Sequence, residues 1–385
     1  MLRWSSFLLC LMLVWPTFRW VNSSLGSSAN HTEVPSGAVV CPPGIYTLAP
    51  EDCLVSGPAQ EMTRLAQEGI IYPLLPLPAY PPDSSLNELP YQYFRVNKSG
   101  APIFLSLQDA IANQPWRRLE AGFLYVSYRS LVETEAGGFY LLRDGTYIPA
   151  DGSRTSIPIF QGLLFSATPR HAFGWVLEKT PSYQAPGRNA PETGKVYYRY
   201  QVVSIFRKET VNEALWLLIG PDEWLPANKV ARVEPRQTPP DGVTGNRWIE
   251  INLEEQTLAA YEDNRLRFAT LVSSGIAPFW TRPGLFQIYE KKELETMSGA
   301  FEPDRSDYYY LQDVPWTMYF DQKRALHGQY WHTGLGYPRS HGCVNLSVGD
   351  ARWLYEWASL EDWVYVYDPS GRTPTDPSLY GSGAP

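Results

Sequence analysis

The sequence predicts a mainly β protein that is long enough for two or three domains. Its 385 residues include 25 Tyr, 15 Phe and 14 Trp, which favour strands, and 34 Pro, which interrupt helices. Short runs such as F-L-Y-V-S-Y from Phe123 and R-W-I-E-I-N-L from Arg247 alternate with the two-residue period of a strand. Gly, Pro and Asn separate these runs, so we expect antiparallel strands rather than long helices.

The N-terminal residues predict an exported protein. Residues 1–30 combine an early Arg, an apolar core from Phe7 to Trp15 and a polar Ser/Asn stretch, which is the pattern of a secretory signal peptide. That core is too short to cross a bilayer, which takes roughly 20 residues, so we expect no membrane span after signal cleavage. The formal net charge of −8 argues against binding to nucleic acid or to an anionic membrane.

The cysteines of the exported chain have different expected fates. Cys41 and Cys53 enclose a turn-rich loop within residues 31–90, and in an oxidising compartment their simplest fate is a local disulfide. The same region ends in a Pro-rich run at residues 72–82, which predicts an extended strap or a plain spacer. Cys343 is left over, either as a reactive thiol or as an inert buried one.

Two related β modules are predicted between residues 91 and 235. The run F-Y-L-L-R-D-G-T-Y-I-P-A-D from Phe139 aligns without gaps with W-L-L-I-G-P-D-E-W-L-P-A-N from Trp216. Each run resembles the C-terminal half of a bacterial SH3-like domain, so we expect one module at residues 91–163 and a second at 164–235. The alternative is a pair of similar hairpins within one β domain.

A further domain is predicted at residues 247–368, after a Pro/Gly-rich linker at 236–246. Its early strands include a hairpin that turns at Asp263–Asn264. Ser347, followed three residues later by Asp350, predicts the start of an amphipathic helix. Residues 369–385 are predicted to be a disordered tail that buries nothing.

Three of the five histidines lie in the short segment that ends at Cys343. A thiol is a nucleophile only as the thiolate, and a nearby histidine can remove its proton near neutral pH. His327 follows an apolar segment and is expected at a strand end, while Gly342 would let backbone amides approach an oxyanion. The same His and Cys residues could instead ligate zinc or be inert, although no C-x-x-C or H-E-x-x-H spacing is present.

The longer pattern resembles a known family. H-G before a Gly/aromatic loop and then S-H-G-C-V-N resemble the signature of the L,D-transpeptidase catalytic domain, the YkuD family. W-I-E-I-N-L-E-E-Q-T-L-A-A-Y, T-R-P-G-L-F-Q-I-Y and V-P-W-T-M-Y-F resemble other segments of that domain in the same order. The resemblance implies a C-terminal β-sandwich with one or two short helices, preceded by the SH3-like modules.

The resemblance also implies roles for individual residues. Cys343 would be the nucleophile and His327 its base, oriented by the Gly328 carbonyl, with no metal or other cofactor. His341 and Gly342 would bind the oxyanion and shape the pocket. Supporting or substrate-binding roles would fall to Ser340, Asn345, Tyr319, Trp331 and His332.

The implied function is the cross-linking of peptidoglycan stem peptides in a bacterial cell envelope, outside the membrane. Carbapenem-type β-lactams would be the expected inhibitors. Water or a free D-amino acid as acceptor would instead give carboxypeptidase or exchange activity. An inactive wall-binding protein is another alternative, whereas a Cys-dependent wall amidase or endopeptidase would place its Cys before its His.

Overall fold

The computed structural model describes residues 58–380 except for 72, 90, 156 and 158. The predicted signal peptide, the Cys41–Cys53 disulfide and residues 381–385 of the tail lie outside the described residues. The chain divides after Thr63, within its first helix, and all the other elements belong to the unit of residues 64–385. None of the described helices is long and apolar enough to cross a membrane.

Strands make up most of the described elements. The helices are α1 Pro58–Gln67, α2 Leu107–Ile111 and α3 Val348–Trp357. The first strands are β1 Ala79–Tyr80, β2 Gln92–Val96, β3 Pro102–Ile103, β4 Arg117–Arg118, β5 Phe123–Thr134, β6 Gly137–Leu142, β7 Tyr147–Pro149 and β8 Gly152–Arg154. They are followed by β9 Leu163–Phe165, β10 Ala172–Val176, β11 Thr180–Tyr183, β12 Glu192–Tyr197, β13 Val202–Ile205, β14 Arg207–Val211, β15 Ala214–Gly220, β16 Glu223–Pro226 and β17 Val230–Val233. The last are β18 Arg247–Asn252, β19 Thr257–Glu262, β20 Arg265–Leu271, β21 Gly284–Gln287, β22 Glu290–Gly299, β23 Tyr309–Asp321, β24 Arg324–Gly328, β25 Val344–Leu346 and β26 Trp363–Tyr367. The prediction of a mainly β protein is confirmed.

Two large sheets pack against each other in the C-terminal region. One has the strand order β1-β9-β20-β19-β18-β26-β21, and the other contains β25-β24-β23-β5-β2-β8, with β22 paired to β23 and β6 and β7 continuing from β5. Apolar side chains of both sheets meet in one core, for example Ile251 of β18, Met318 of β23 and Leu326 of β24. Leu354 of α3 packs into the same core. This is the β-sandwich arrangement that the resemblance implies.

Local signals in the sequence explain how the domain's elements begin and turn. The β19–β20 hairpin turns at Asp263 and Asn264, whose φ angles of 52° and 59° suit a two-residue hairpin loop. Helix α3 begins after Ser347, whose hydroxyl accepts a hydrogen bond from Asp350 N at 3.3 Å. Both features agree with the sequence analysis.

The segments before residue 236 extend the large sheets and also form smaller ones. From the predicted first module, β5 pairs in parallel with β23, so its strands continue a sheet of the C-terminal region. The Pro-rich strap contributes β1, which pairs with β9 at the edge of the other large sheet. The predicted second module contains a three-stranded sheet, β13-β10-β17, and a five-stranded sheet, β12-β11-β16-β15-β14. Their SH3-like character stays a prediction.

The segment after β26 differs from the sequence analysis, which expected nothing buried there. Tyr380 is only 8% exposed, and its backbone carbonyl accepts a hydrogen bond from the buried guanidinium of Arg324. Its ring also lies over that guanidinium, 5.4 Å from the charge centre. A buried arginine needs acceptors for its N–H groups, and the tail supplies one of them.

Candidate active site

Cys343 directly precedes β25, which pairs in parallel with β24, the strand that carries His327. Leu326 of β24 is in register with Val344 of β25, and His327 with Asn345. Cys343 therefore lies level with Ala325, two residues before His327. Because alternate residues of a strand share a face, Cys343 and His327 project to the same side as diagonal neighbours.

The two side chains face one cavity of about 480 Å³. Its wall consists of Phe123, Met297, Asp307, Tyr309, Leu311, His327, Trp331, His332, Arg339, Ser340, His341, Cys343 and Asn345. A larger cavity of about 1110 Å³ is lined by residues between Leu177 and Thr373 that include no His or Cys. We place the candidate site in the smaller cavity because it holds the predicted nucleophile, Cys343, and the predicted base, His327.

His327 is held in one tautomer. Its Nδ1 lies 3.1 Å from the Gly328 carbonyl oxygen, which can only accept, so Nδ1 carries the proton. Nε2 then keeps a lone pair and can act as a base. Burial lowers the pKa of His327 to about 4, against a smaller opposite effect of the Gly328 hydrogen bond, so the imidazole is neutral at neutral pH.

Cys343 is a buried, protonated thiol in this state. Burial raises its pKa to about 11, while the Ala325 backbone amide and the charge of Arg324 have smaller lowering effects. Its Sγ donates weakly to the Lys323 carbonyl oxygen at 3.8 Å. Among the described residues, no hydrogen bond joins Cys343 to His327, so Sγ must turn away from Lys323 before His327 can take its proton.

Hydrogen bonds within the motif fix the loop before Cys343. The Ser340 hydroxyl donates to the Cys343 carbonyl oxygen and accepts from Gly342 N at 3.1 Å. Thr281 Oγ1 donates to the Gly342 carbonyl oxygen at 2.9 Å. Gly342 has a φ of 117°, which favours glycine. With Gly342 N–H bonded to Ser340, the Cys343 N–H, which has no acceptor among the described residues, is the better oxyanion donor.

His341 belongs to an aromatic cluster at the cavity rim. Its ring stacks on Phe301 with centroids 4.9 Å apart and lies 4.8 Å from Phe279. Partial burial lowers the pKa of His341, and the nearby carboxylate of Asp307 opposes this effect. His341 therefore forms part of the cavity wall, and its role in oxyanion binding or pocket shape stays a prediction.

Half-buried His332 and buried Asn345 form a hydrogen-bonded pair on the cavity wall. Gly334 N–H donates to His332 Nδ1 at 3.1 Å, so the proton of this imidazole sits on Nε2. His332 Nε2 lies 3.0 Å from the Asn345 amide, whose oxygen otherwise has no partner. A half-turn of that amide lets Oδ1 accept the Nε2 proton, and this orientation satisfies both groups.

The remaining predicted residues divide between the cavity and its surroundings. Trp331 lines the cavity, with its ring 5.7 Å from that of His327. Tyr319 is not among the lining residues and instead stacks on Tyr289, with ring centroids 6.1 Å apart. Within the part of the chain that the structure describes, no three His, Cys, Asp or Glu side chains cluster as metal ligands would.

Several wall residues were missed by sequence reasoning. Arg339 directly precedes the S-H-G-C-V-N motif, and this position is a sequence signal by which it could have been predicted. Asp307 and Tyr309 come from the β22–β23 connection and the start of β23, and Phe123 enters through the parallel pairing of β5 with β23. Nothing in the local sequence around Phe123 predicts that long-range pairing.

Comparison with known proteins identifies the C-terminal domain. The sequence profile of the YkuD family, described as the L,D-transpeptidase catalytic domain, matches residues 246–366. Residues 246–366 are a YkuD-type L,D-transpeptidase catalytic domain. The YkuD domain thus contains the whole motif from His327 to Asn345.

The relatives of the YkuD domain match it at low identity. YciB of Bacillus subtilis (strain 168), whose name provisionally places it among the L,D-transpeptidases, is 24% identical over 135 residues, covering 30% of this chain and 63% of that protein. The chain thus spans less than two thirds of that relative's length.

Solved structures also resemble the YkuD domain. An L,D-transpeptidase from Stackebrandtia nassauensis is 28% identical, with a TM-score of 0.27, over 35% of this chain and 60% of that one. The E. faecium catalytic domain acylated by ertapenem is 26% identical, with a TM-score of 0.30, over 33% of this chain and 100% of that one.

Proposed function

We propose that this chain is an exported L,D-transpeptidase that cross-links peptidoglycan stems through a thioester on Cys343. The observation that supports the proposal best is that Cys343, directly before β25, and His327, on the paired strand β24, line the same cavity. Both residues belong to the YkuD domain. Export through residues 1–30 would bring the enzyme to a substrate outside the membrane, and the β modules would serve as spacers or wall-binding units.

In the first half of the reaction, Sγ attacks the carbonyl that joins an L-centre to D-Ala in a tetrapeptide stem. His327 Nε2 takes the thiol proton as the C–S bond forms, and the Cys343 N–H stabilises the oxyanion. The C–N bond then breaks, and His327 returns the proton to the departing nitrogen. The products are a thioester on Cys343 and free D-Ala.

In the second half, the side-chain amine of a second stem attacks the thioester. The new C–N bond forms, the C–S bond breaks, and the amine proton passes through His327 to the sulfur. The product is a cross-link between two third-position residues, and the thiol is regenerated. Water in place of the amine would release a tripeptide, and a free D-amino acid would give exchange.

Carbapenem-type β-lactams are proposed as inhibitors on the same chemical grounds. Their strained amide presents a carbonyl of the kind that the Cys343 thiol would attack. Opening of the β-lactam ring would leave the drug bound to the Cys343 sulfur as a thioester, and the bound drug would occupy the cavity.

The proposal is tested with a disaccharide-tetrapeptide and mass measurement of both protein and muropeptides. We expect an adduct of the stem minus D-Ala on Cys343, with dimer formation, in the wild type and in neither Cys343→Ala nor Cys343→Ser. Monomeric tripeptide alone would assign a carboxypeptidase. A folded protein that forms no adduct and releases no D-Ala would contradict the proposal and favour a wall-binding protein.

A further inference from the structure

Arg339 brings a positive charge to the cavity wall. Among the described residues that line the cavity it is the one Lys or Arg. The side chain is exposed, and no described residue pairs with its guanidinium. A guanidinium has five N–H donors in a planar fork that matches a carboxylate, so an unpaired guanidinium in the cavity wall is available to an anionic ligand.

The position of this side chain is built into the loop. A Cβ atom at Gly334 would lie 1.8 Å from Arg339 Nε and 2.5 Å from its Cδ, so the arginine lies directly over the Gly334 backbone. Gly334 does not have a positive φ, so a side chain at this position would displace the Arg339 side chain rather than strain the backbone.

The backbones of both residues are held by the same strand segment. Ser273 Oγ donates to the Gly334 carbonyl oxygen, and Arg339 N donates to the Ser274 carbonyl oxygen, each at 2.9 Å. These two hydrogen bonds fix the distance between the backbones of Gly334 and Arg339. The backbone from which Arg339 reaches the cavity wall is thereby held in place before any ligand arrives.

The proposed donor substrate carries a carboxylate close to the bond that breaks. In a tetrapeptide stem, the D-Ala nitrogen that leaves is one carbon away from a free C-terminal carboxylate. When Sγ of Cys343 reaches the scissile carbonyl, that carboxylate has to enter the cavity as well. Moving a carboxylate out of water is costly unless a cation or several hydrogen bonds replace its hydration.

The other polar groups of the wall are less suited to this role. Burial lowers the pKa of both His327 and His332 to about 4, so both rings are neutral at neutral pH. Asp307 is negative, and its two oxygens already accept hydrogen bonds from the Phe301 and Glu302 amides. The carboxylate would therefore favour the Arg339 side of the cavity over the Asp307 side.

We infer that Arg339, laid over Gly334, is the receptor for the C-terminal carboxylate of the D-residue that leaves the donor stem. The inference rests on the proposed function and adds a recognition site to it. The planar guanidinium matches a carboxylate with two parallel hydrogen bonds, which fixes the direction of the scissile amide relative to Sγ.

The test compares two stems that differ only in this carboxylate. One disaccharide-tetrapeptide ends in D-Ala and the other in D-alaninamide, and the rate of Cys343 acylation is followed by protein mass. Losing a hydrogen bond between charged groups corresponds to about a 10- to 100-fold change in rate. The wild type should therefore be acylated faster by the free acid than by the amide by about that factor. In Arg339→Gln the two rates should converge, chiefly through a slower reaction of the free acid.

Three further variants separate recognition from folding. Arg339→Lys should keep part of the preference because it keeps a point charge. Gly334→Ala should reduce the preference although the charge remains, since the added methyl group displaces the guanidinium. Arg265→Gln, an exposed arginine at the start of β20, should keep the wild-type preference. Alkylation of Cys343 by iodoacetamide, which carries no carboxylate, reports whether each variant keeps its site.

Two results would overturn the inference. One is an equal loss of rate on both stems in Arg339→Gln, which would make the residue structural. The other is a wild type that acylates both stems at the same rate. A wild type that reacts with neither stem would instead overturn the proposed function, and the inference with it, so the two failures are distinguishable.

Discussion

The low pKa of His327 predicts an unusual acid limit for the acylation of Cys343. A base with a pKa of about 4 is still roughly 97% neutral at pH 5.5, whereas a histidine at its ordinary 6.5 would be only about 9% neutral. Acylation by the wild type should therefore stay nearly constant from pH 8 down to about pH 5. It should fall only when His327 becomes protonated near pH 4.

Substitution of Trp331 should raise the pH below which the acylation rate falls. Its ring lies 5.7 Å from the imidazole and helps to exclude water from it. Trp331→Ala should hydrate His327, raise its pKa toward 6.5 and protonate it at pH 5.5. The rate at pH 5.5 relative to pH 8 should then fall by up to about tenfold, while the wild-type ratio stays close to one.

The assay is the single-turnover reaction of the full chain with a carbapenem, followed by loss of β-lactam absorbance between pH 4 and 8. Trp116→Ala is the matched control, because this tryptophan is 57% exposed and is not part of the cavity wall. A wild-type acid limb near pH 6.5 would refute the argument that burial sets the protonation of His327. So would a Trp331→Ala profile identical to that of the wild type.

Three further predictions concern the framework of the site. Burial raises the pKa of Asp350 from 3.8 to about 6, so its ionisation should lower the free energy of unfolding by about 2 kcal/mol as pH rises from 4 to 7. Asp350→Asn cannot ionise, so its free energy of unfolding should rise by that amount relative to the wild type between pH 4 and 7, as measured by urea unfolding. A difference between the two proteins that does not change with pH would contradict this prediction. Gly342→Ala should lose about 1–3 kcal/mol of stability and most acylation, because a side chain is strained at φ 117° and its Cβ would lie 3.3 Å from Arg324 Nε; unchanged unfolding and acylation would contradict this. Ending the chain after Asp368 should cost about 1.5–3 kcal/mol in urea unfolding by removing the Tyr380 carbonyl from Arg324, whereas ending it after Tyr380 should cost nothing measurable, and equal losses would count against the contact.

The parts of the molecule that local sequence determines were predictable. The hairpin at Asp263–Asn264 needs two residues that tolerate positive φ, and the α3 start needs a Ser that accepts from an amide three residues on. Cys343 and His327 were recognisable because the motif around each of them is contiguous in the chain. Their approach then follows from the parallel register of β24 and β25, because Cys343 directly precedes β25.

The parts that depend on long-range packing were not predictable. Phe123 reaches the cavity only because β5 pairs with β23, and Tyr380 meets Arg324 only because the tail returns to the domain. Neither contact has a local periodicity or turn signal. The oxyanion donor is a subtler case, since both Gly342 and Cys343 offer an N–H, and only the Ser340 hydrogen bond distinguishes them.

The burial of Cys343 and His327 also explains why the predicted nucleophile and base can share a cavity without a hydrogen bond between them. Burial raises the pKa of Cys343 and lowers that of His327, so both favour the neutral form and no thiolate–imidazolium pair is expected before substrate binds. Proton transfer must then accompany attack on the carbonyl, when negative charge moves from sulfur to an oxygen that the Cys343 N–H can stabilise. A substrate that is correctly held, with its carboxylate on Arg339, would supply the acceptor for that charge. Acylation of Cys343 should therefore be fastest when a bound stem completes the site.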